Sequence, residues 1–105
     1  MTVFNIIARK TLLAFCKSYP EAAYALMEWY HEMITQDFRN FQELKRVHGN
    51  CSLVGDDRVV FNIAGNKYRL VVRIVFPFKA IQVKWFGTHK EYDKIDVNAI
   101  KFKKS

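Results

Sequence analysis

The chain has 105 residues, of which 50% are hydrophobic and 15% aromatic. This length predicts one domain over residues 1–105, and the apolar content suits one core and excludes a disordered chain. The formal net charge is +7. Residues 1–57 carry six Lys/Arg and seven Asp/Glu (net −1), whereas residues 58–105 carry eleven and three (net +8). A localised positive field favours a polyanionic partner, most often nucleic acid, although solubilising lysines alone would give the same charge.

No targeting or membrane-spanning segment is expected. Arg9 and Lys10 follow a short apolar run that lacks the ordered regions of a secretory signal. Arg73 and Lys79 interrupt the most apolar stretch, which is therefore not a membrane span. The two cysteines form neither a metal-binding pair nor a disulfide framework. The sequence thus favours a cytoplasmic protein with free thiols, and it predicts no metal site and no cofactor.

The first half of the sequence predicts one strand followed by helices. β-Branched and aromatic residues over Thr2–Ala8 predict the strand. Apolar residues recur at helical spacing over Lys10–Tyr19, and Pro20 ends that helix and suits the first position of the next. Asn40 is a candidate N-cap for a third helix, which Gly49 and the asparagine after it would end. The second helix is expected to bury one stripe: Ala23, Leu26, Met27, Tyr30 and Ile34.

A β-hairpin is predicted from Arg58 onwards, where the apolar period changes to two. The segments RVVFNI and KYRLVV flank Gly65-Asn66, which suits a two-residue turn of type II′ or I′. Such a turn sets the register, so that one face of the hairpin is apolar and the other is polar. The pairs expected on the polar face are Asn62–Arg69, Val60–Val71 and Arg58–Arg73.

A further strand is predicted over about Ala80–Phe86. Its alternation places Lys84 on the polar face, beside Arg69 and Arg73 of the hairpin. The sequence therefore predicts one concave basic surface across three strands. The residues of this strand expected in the core are Ile81, Val83 and Trp85. The final residues, AIKFKKS, are expected to form either a short strand or a basic tail.

The segment GTHKEYDKID follows this strand and has the pattern of a helix start. Thr88 and Glu91 match a capping box, with Thr88 as N-cap. His89 and Tyr92 would then lie on one side of the first turn. RNA carries its own nucleophile, the 2′-hydroxyl, so cleavage needs only groups that move protons and cations that stabilise phosphate charge. Composition and periodicity leave two alternatives, catalysis and simple phosphate binding, and they favour the second.

Two of these segments together resemble a known family. VVFNIAGNKYRLVV, followed by GTHKEYDKID, is similar to the HigB toxins of bacterial type II toxin–antitoxin pairs, which are relatives of the RelE toxins. The resemblance implies a small α+β fold of the RelE type, with an N-terminal strand and helices packed on a small antiparallel β-sheet and a short C-terminal helix. Where the family often has Gly-Gly-Asn at the hairpin, this chain has Ala64-Gly65-Asn66.

The resemblance also implies an activity and partners. Such toxins are endoribonucleases that enter the ribosomal A site, dock on 16S rRNA and cleave mRNA without a metal ion. A HigA-type antitoxin with a helix-turn-helix domain neutralises them, and operator DNA is bound only through that complex. Two alternatives remain open: a non-catalytic RNA- or ribosome-binding domain, and a gyrase-inhibiting toxin of the same fold.

Residue roles follow from the matched motifs. Arg69 of KYRL resembles the family's phosphate-stabilising arginine, and His89 and Tyr92 of THKEY resemble its proton-handling group. Which of the two is the acid and which the base stays open, because catalytic residues vary among RelE relatives. The other cations of the face and its adjoining turns are the candidates for RNA binding: Arg58, Lys67, Arg73, Lys84 and Lys90.

Overall fold

Helices pack on a five-stranded sheet in the structure, a computed structural model that describes residues 4–7, 9–55 and 57–95. The elements are β1 (Asn5–Ile7), α1 (Arg9–Ser18), a 3₁₀ turn (Pro20–Ala22), α2 (Ala23–Thr35), α3 (Phe41–Val47), β2 (Cys51–Val54), β3 (Arg58–Ile63), β4 (Tyr68–Val75), a 3₁₀ turn (Phe76–Phe78), β5 (Ala80–Thr88) and α4 (His89–Asp93). The strand order is β1-β5-β4-β3-β2. Strands β2 to β5 are antiparallel, and β1 adds in parallel beside β5. The predicted α+β fold is therefore confirmed.

Two predictions fall partly or wholly outside the described residues. The first strand was expected over Thr2–Ala8, and the structure places β1 at Asn5–Ile7; residues 2, 3 and 8 lie outside the described residues. The C-terminal segment AIKFKKS also lies outside them. No helix within the described ranges is long and apolar enough to cross a membrane.

The helices cover one face of the sheet. In α1, Leu12 is fully buried and Phe15 and Cys16 pack against the core, as does Tyr19 directly after the helix, as their spacing predicted. The predicted stripe of α2 is only partly right. Leu26 is buried, but the centre of the buried face is formed by Trp29 and Met33, and the other predicted residues are only partly buried. The buried face of α2 is rotated relative to the predicted stripe, because Trp29 and Met33 together bury more apolar surface than Ala23 and Met27 would.

The N-cap predicted for the third helix is confirmed, whereas the strand that follows this helix was not predicted. The side chain of Asn40 accepts a hydrogen bond from the backbone N–H of Glu43, which confirms the predicted N-cap. Helix α3 ends at Val47, just before Gly49. Strand β2 follows and was not predicted, because only Cys51 of its four residues is fully buried and no alternation marks it.

The β3–β4 hairpin has the predicted register. Asn62 pairs with Arg69, and all six paired positions of β3 agree with a turn at Gly65-Asn66. The backbone N–H of Lys67 donates to the carbonyl of Ala64 and closes the turn. Gly65 has a φ of 70° and Ala64 a φ of 55°. Ala64, the departure from the family's Gly-Gly-Asn, thus adopts a left-handed conformation that costs a non-glycine residue about 1–2 kcal/mol.

Strand β5 contains a bulge that changes the predicted side of its second half. Val72 pairs with Val83 and Val71 with Trp85, so Lys84 between them has no position in the register. The extra residue reverses the alternation. Ile81 and Val83 are in the main core as predicted, but the prediction for Trp85 is wrong: Phe86 is in that core instead, and Trp85 lies on the opposite face of the sheet.

Candidate functional site

Three cations cluster on the face of the sheet that the helices leave uncovered. Arg58 and Arg73 are paired across β3 and β4. The pKa of Lys84 is lowered, first by burial of its ammonium group and then by repulsion from Arg73 and Arg58. The Nε–H of Arg73 donates to a carboxylate oxygen of Asp57 at 2.6 Å, so one carboxylate partly neutralises the positive charge of this cluster. The sequence had indicated the three cations but not the carboxylate.

Arg69 lies further along β4, at the turn end of the hairpin. It is paired with Asn62 on β3 and Gly87 on β5. Its guanidinium donates to the side-chain oxygen of Asn66 at 3.0 Å and to the carbonyl oxygens of Asn66 and Tyr68 at 3.3 and 3.2 Å. The turn therefore orients the planar group. A guanidinium held in this way can offer its remaining donors to a phosphate in a fixed direction.

The capping box predicted at the start of α4 is present. The Thr88 hydroxyl accepts from the backbone N–H of Glu91 at 3.1 Å, and the Glu91 carboxylate accepts from the backbone N–H of Thr88 at 2.8 Å. The backbone N–H of His89 donates to the carbonyl of Lys67 at 2.8 Å. Because Lys67 belongs to the hairpin turn, this bond joins the first turn of α4 to the segment that orients Arg69.

A tyrosine directly after α1 also supports α4. The hydroxyl of Tyr19 donates to the Glu91 carboxylate at 3.0 Å. The hydrogen bond from the Thr88 backbone, followed by the one from Tyr19, lowers the pKa of Glu91. Burial, followed by the bond to Glu91, raises the pKa of Tyr19. No local pattern signals this contact, since the two residues are 72 positions apart in the chain.

The two candidate proton carriers lie on α4 beside these supports. The His89 side chain is 46% exposed, and its Nε2 lies 3.6 Å from a carboxylate oxygen of Asp93, an ion pair when the imidazole is protonated. Tyr92 is partly buried, with its ring centre 6.1 Å from that of Trp85. Lys90, between them in sequence, is exposed. Arg69, His89 and Tyr92 thus lie on neighbouring elements, the turn end of β4 and the helix that follows β5.

An apolar strip crosses the same face and divides the basic surface. It consists of Val60 and Val71, which are buried, and Val54, Trp85 and Tyr92, which pack against them. Along β4 the strip residue Val71 lies between Arg69 and Arg73, and across the sheet it faces Trp85. The apolar strip therefore divides the predicted single basic surface, with Arg69 on one side and Arg58, Arg73 and Lys84 on the other. Trp85, which the sequence had placed in the core, is the residue that this change adds to the site.

Within residues 4–7, 9–55 and 57–95, no group of three or more His, Cys, Asp or Glu side chains could hold a metal ion. Of the other histidines, His31 is exposed on α2, and His48 bonds to the side-chain oxygen of Gln36 at 3.1 Å under the helical layer. Neither belongs to the face that carries Arg69.

Comparison with known proteins agrees with the resemblance seen in the sequence. A family model described as HigB_toxin, RelE-like toxic component of a toxin–antitoxin system, matches residues 22–95, which include the hairpin, β5 and α4. Three relatives are each 28% identical over 91 residues, covering 85% of this chain and 88% of their own. They are the mRNA interferase toxin HigB of Escherichia coli K12 and the mRNA interferases HigB of Escherichia coli O157:H7 and Shigella flexneri. The chain belongs to the HigB family of RelE-like toxins of toxin–antitoxin systems.

Proposed function

We propose that this toxin is an endoribonuclease that cleaves translated mRNA on the ribosome without a metal ion. The observation that carries the proposal is the placement of Arg69, His89 and Tyr92 on neighbouring elements at one end of a basic sheet face. The names of the relatives, mRNA interferases, support the same activity. Ribosome dependence rests on the resemblance of the hairpin and capping-box segments to HigB toxins. A reaction on translating ribosomes would take place in the cytoplasm.

The chemistry uses the 2′-hydroxyl of the substrate as nucleophile. A base takes its proton, the oxygen attacks the adjacent phosphorus, and an acid protonates the departing 5′-oxygen, which leaves a 2′,3′-cyclic phosphate and a 5′-hydroxyl. The guanidinium of Arg69 would stabilise the extra charge of the phosphorane. His89 and Tyr92 would carry the protons. The Asp93 carboxylate, 3.6 Å from His89 Nε2, would orient the imidazole, and we propose His89 as the base.

The remaining cations would bind the RNA backbone. Phosphate contacts give affinity that falls with salt and depends little on sequence, which suits docking on 16S rRNA in the A site and on mRNA. The cations in this role are Arg58, Lys67, Arg73, Lys84 and Lys90. As a member of a toxin–antitoxin family, the chain has an antitoxin partner. We propose that this antitoxin is of the HigA type and that operator DNA is bound only through the complex.

Inducible expression followed by mapping of mRNA 5′ ends tests the proposal. The wild-type protein is expected to stop growth and to produce new 5′-hydroxyl ends within translated messages. These ends are ligated only after phosphorylation, whereas hydrolysis by a metal-activated water leaves a 5′-phosphate or a 3′-phosphate without the cyclic intermediate. Arg69→Ala and His89→Ala are expected to reduce the cuts at least about 100-fold, as loss of a general base or a transition-state donor does.

Lys10→Ala is the matched control, because Lys10 is an exposed cation on α1, which packs on the face of the sheet opposite to Arg69. It is expected to cut like the wild type. Undiminished cuts in both Arg69→Ala and His89→Ala would refute the residue assignment. If the wild type produced no cuts and His89→Ala still inhibited growth and bound ribosomes, the protein would be a non-catalytic ribosome-binding toxin.

A further inference from the structure

The apolar strip offers an aromatic surface between two groups of cations. We propose that Trp85, together with Tyr92, forms a stacking site for one nucleobase of single-stranded RNA, with phosphates held on either side by Arg69 and by the Arg58–Arg73–Lys84 cluster. The proposal rests on the proposed function in taking RNA as the ligand. It adds a base-contacting residue to a site otherwise made of groups that contact phosphate or move protons.

The first argument is the position of Trp85. Continued alternation from Ile81 and Val83 would bury its indole in the main core, where a side chain of this size contributes most to stability. The bulge at Lys84 instead places it on the uncovered face, where it stays partly exposed. Bulges commonly re-aim a side chain next to a functional site. The aromatic ring therefore lies where it can meet a ligand.

The second argument is the spacing of the cations. Arg69 and Arg73 lie on the same face of β4 with Val71 between them, about 13 Å apart at the strand rise of 3.2–3.4 Å per residue. An extended RNA strand that contacts both must carry at least one nucleotide across the strip. Trp85 faces Val71 from β5, and so it lies beside that path. A base there would find an aromatic face and flanking positive charge, the two features of single-strand binding surfaces.

The third argument is Gly87, which makes room for the ring. A Cβ at this position would lie 2.6 Å from Cη2 and 2.9 Å from Cζ2 of Trp85. The indole therefore lies along β5 over Gly87, and Gly87 is the residue paired with Arg69. This places the ring next to the strand position that carries the phosphate-binding arginine. The Tyr92 ring lies near the indole, with ring centres 6.1 Å apart and planes tilted by 54°.

Tryptophan fluorescence measures the stacking directly. The chain has two tryptophans, and Trp29 is only 4% exposed, so a bound base quenches chiefly Trp85. The probes are a 2′-O-methyl hexa-adenylate, which has no free 2′-hydroxyl and is not cleaved, and the same backbone with abasic residues. The hexa-adenylate is expected to quench the tryptophan fluorescence of the wild-type protein. Its affinity is expected to be about 5- to 100-fold higher than that of the abasic probe.

Variants separate stacking from phosphate binding. Trp85→Leu is expected to lose the quenching and the advantage of the hexa-adenylate, while its affinity for the abasic probe stays unchanged. Trp85→Phe, which keeps a smaller ring, is expected to retain part of that advantage. Equal binding of both probes by the wild-type protein overturns the proposal without any variant, and it would leave the strip as a surface for a protein such as the antitoxin. Because these probes cannot be cleaved, the result is independent of 5′-end mapping: cuts without stacking overturn only this inference, and stacking without cuts overturns only the proposed nuclease.

Discussion

Substituting Gly87 with alanine tests how the indole of Trp85 is seated. The new Cβ would lie 2.6 and 2.9 Å from two ring carbons of Trp85 and 2.7 Å from Oε1 of Glu91, against ordinary contacts of about 3.5–4.0 Å, so both side chains must move by about 1 Å. Overpacking of this kind costs about 1–3 kcal/mol. The φ of Gly87 is not left-handed, so alanine also gains about 0.4–1 kcal/mol by restricting the unfolded chain. The expected net loss is about 1–2 kcal/mol, a fall in melting temperature of about 5–10 °C.

Urea unfolding followed by far-UV circular dichroism measures this loss as a lower midpoint with an unchanged m-value. Gly49→Ala is the matched control, because nothing lies within 4 Å of its Cβ, and it is expected to be neutral or slightly stabilising. In a Trp85→Leu background, the cost of Gly87→Ala is expected to fall but not to vanish, since the overlap with the ring is gone while the overlap with the Glu91 carboxylate, which caps α4, remains. An equal cost in both backgrounds would show that the indole does not lie over Gly87.

Three further predictions concern the cap, a buried histidine and the basic cluster. Thr88→Ala is expected to cost about 1 kcal/mol in urea unfolding and to reduce mRNA cuts in 5′-end mapping, whereas Thr88→Ser keeps the hydroxyl and both properties. Burial lowers the pKa of His48, and Glu32 opposes this effect. The unfolded chain therefore binds a proton at this histidine more tightly than the folded chain does. The stability that the neutral, buried imidazole contributes is full above pH 6.5 and is lost as pH falls through the lowered pKa of the folded state. His48→Gln is expected to flatten the fall in urea midpoint between pH 7 and 5, and an unchanged pH profile would contradict it. Asp57→Asn removes the partner of Arg73 and is expected to steepen the log–log salt dependence of single-stranded RNA binding by about 0.7, while Arg73→Gln reduces it.

Local patterns predicted the parts of the fold that depend on near neighbours in sequence. The hairpin register followed from period-two alternation on both sides of Gly65-Asn66, because one slip would expose every core residue. The capping box followed from Thr88 and Glu91, three positions apart. The same register placed Arg69 opposite Asn62 on the polar face. These features need no knowledge of the remote chain.

Features that depend on the whole assembly were missed. Counting alternation through Lys84 placed Trp85 in the core, and nothing in the count shows that one residue is bulged out. The two adjacent apolar residues Trp85-Phe86 were the available signal, because a simple strand cannot bury both on one side. Strand β2 has no alternation of its own, and its place comes from pairing with β3. The support that Tyr19 gives to α4 had no signal in the sequence around either residue.

The bond between Tyr19 and Glu91 has a consequence for how the toxin becomes functional during its synthesis. It closes a loop of 72 residues, and Glu91 is the same carboxylate that caps α4. The hairpin can form as soon as its own residues have left the ribosome, because its pairs are close in sequence. The fully bonded helix α4 cannot, since it is the last element that the structure describes and its Glu91 bonds to Tyr19, directly after the first helix. A nascent chain in which Glu91 has not yet left the ribosome therefore has the β3–β4 hairpin without the bonded helix that carries His89 and Tyr92.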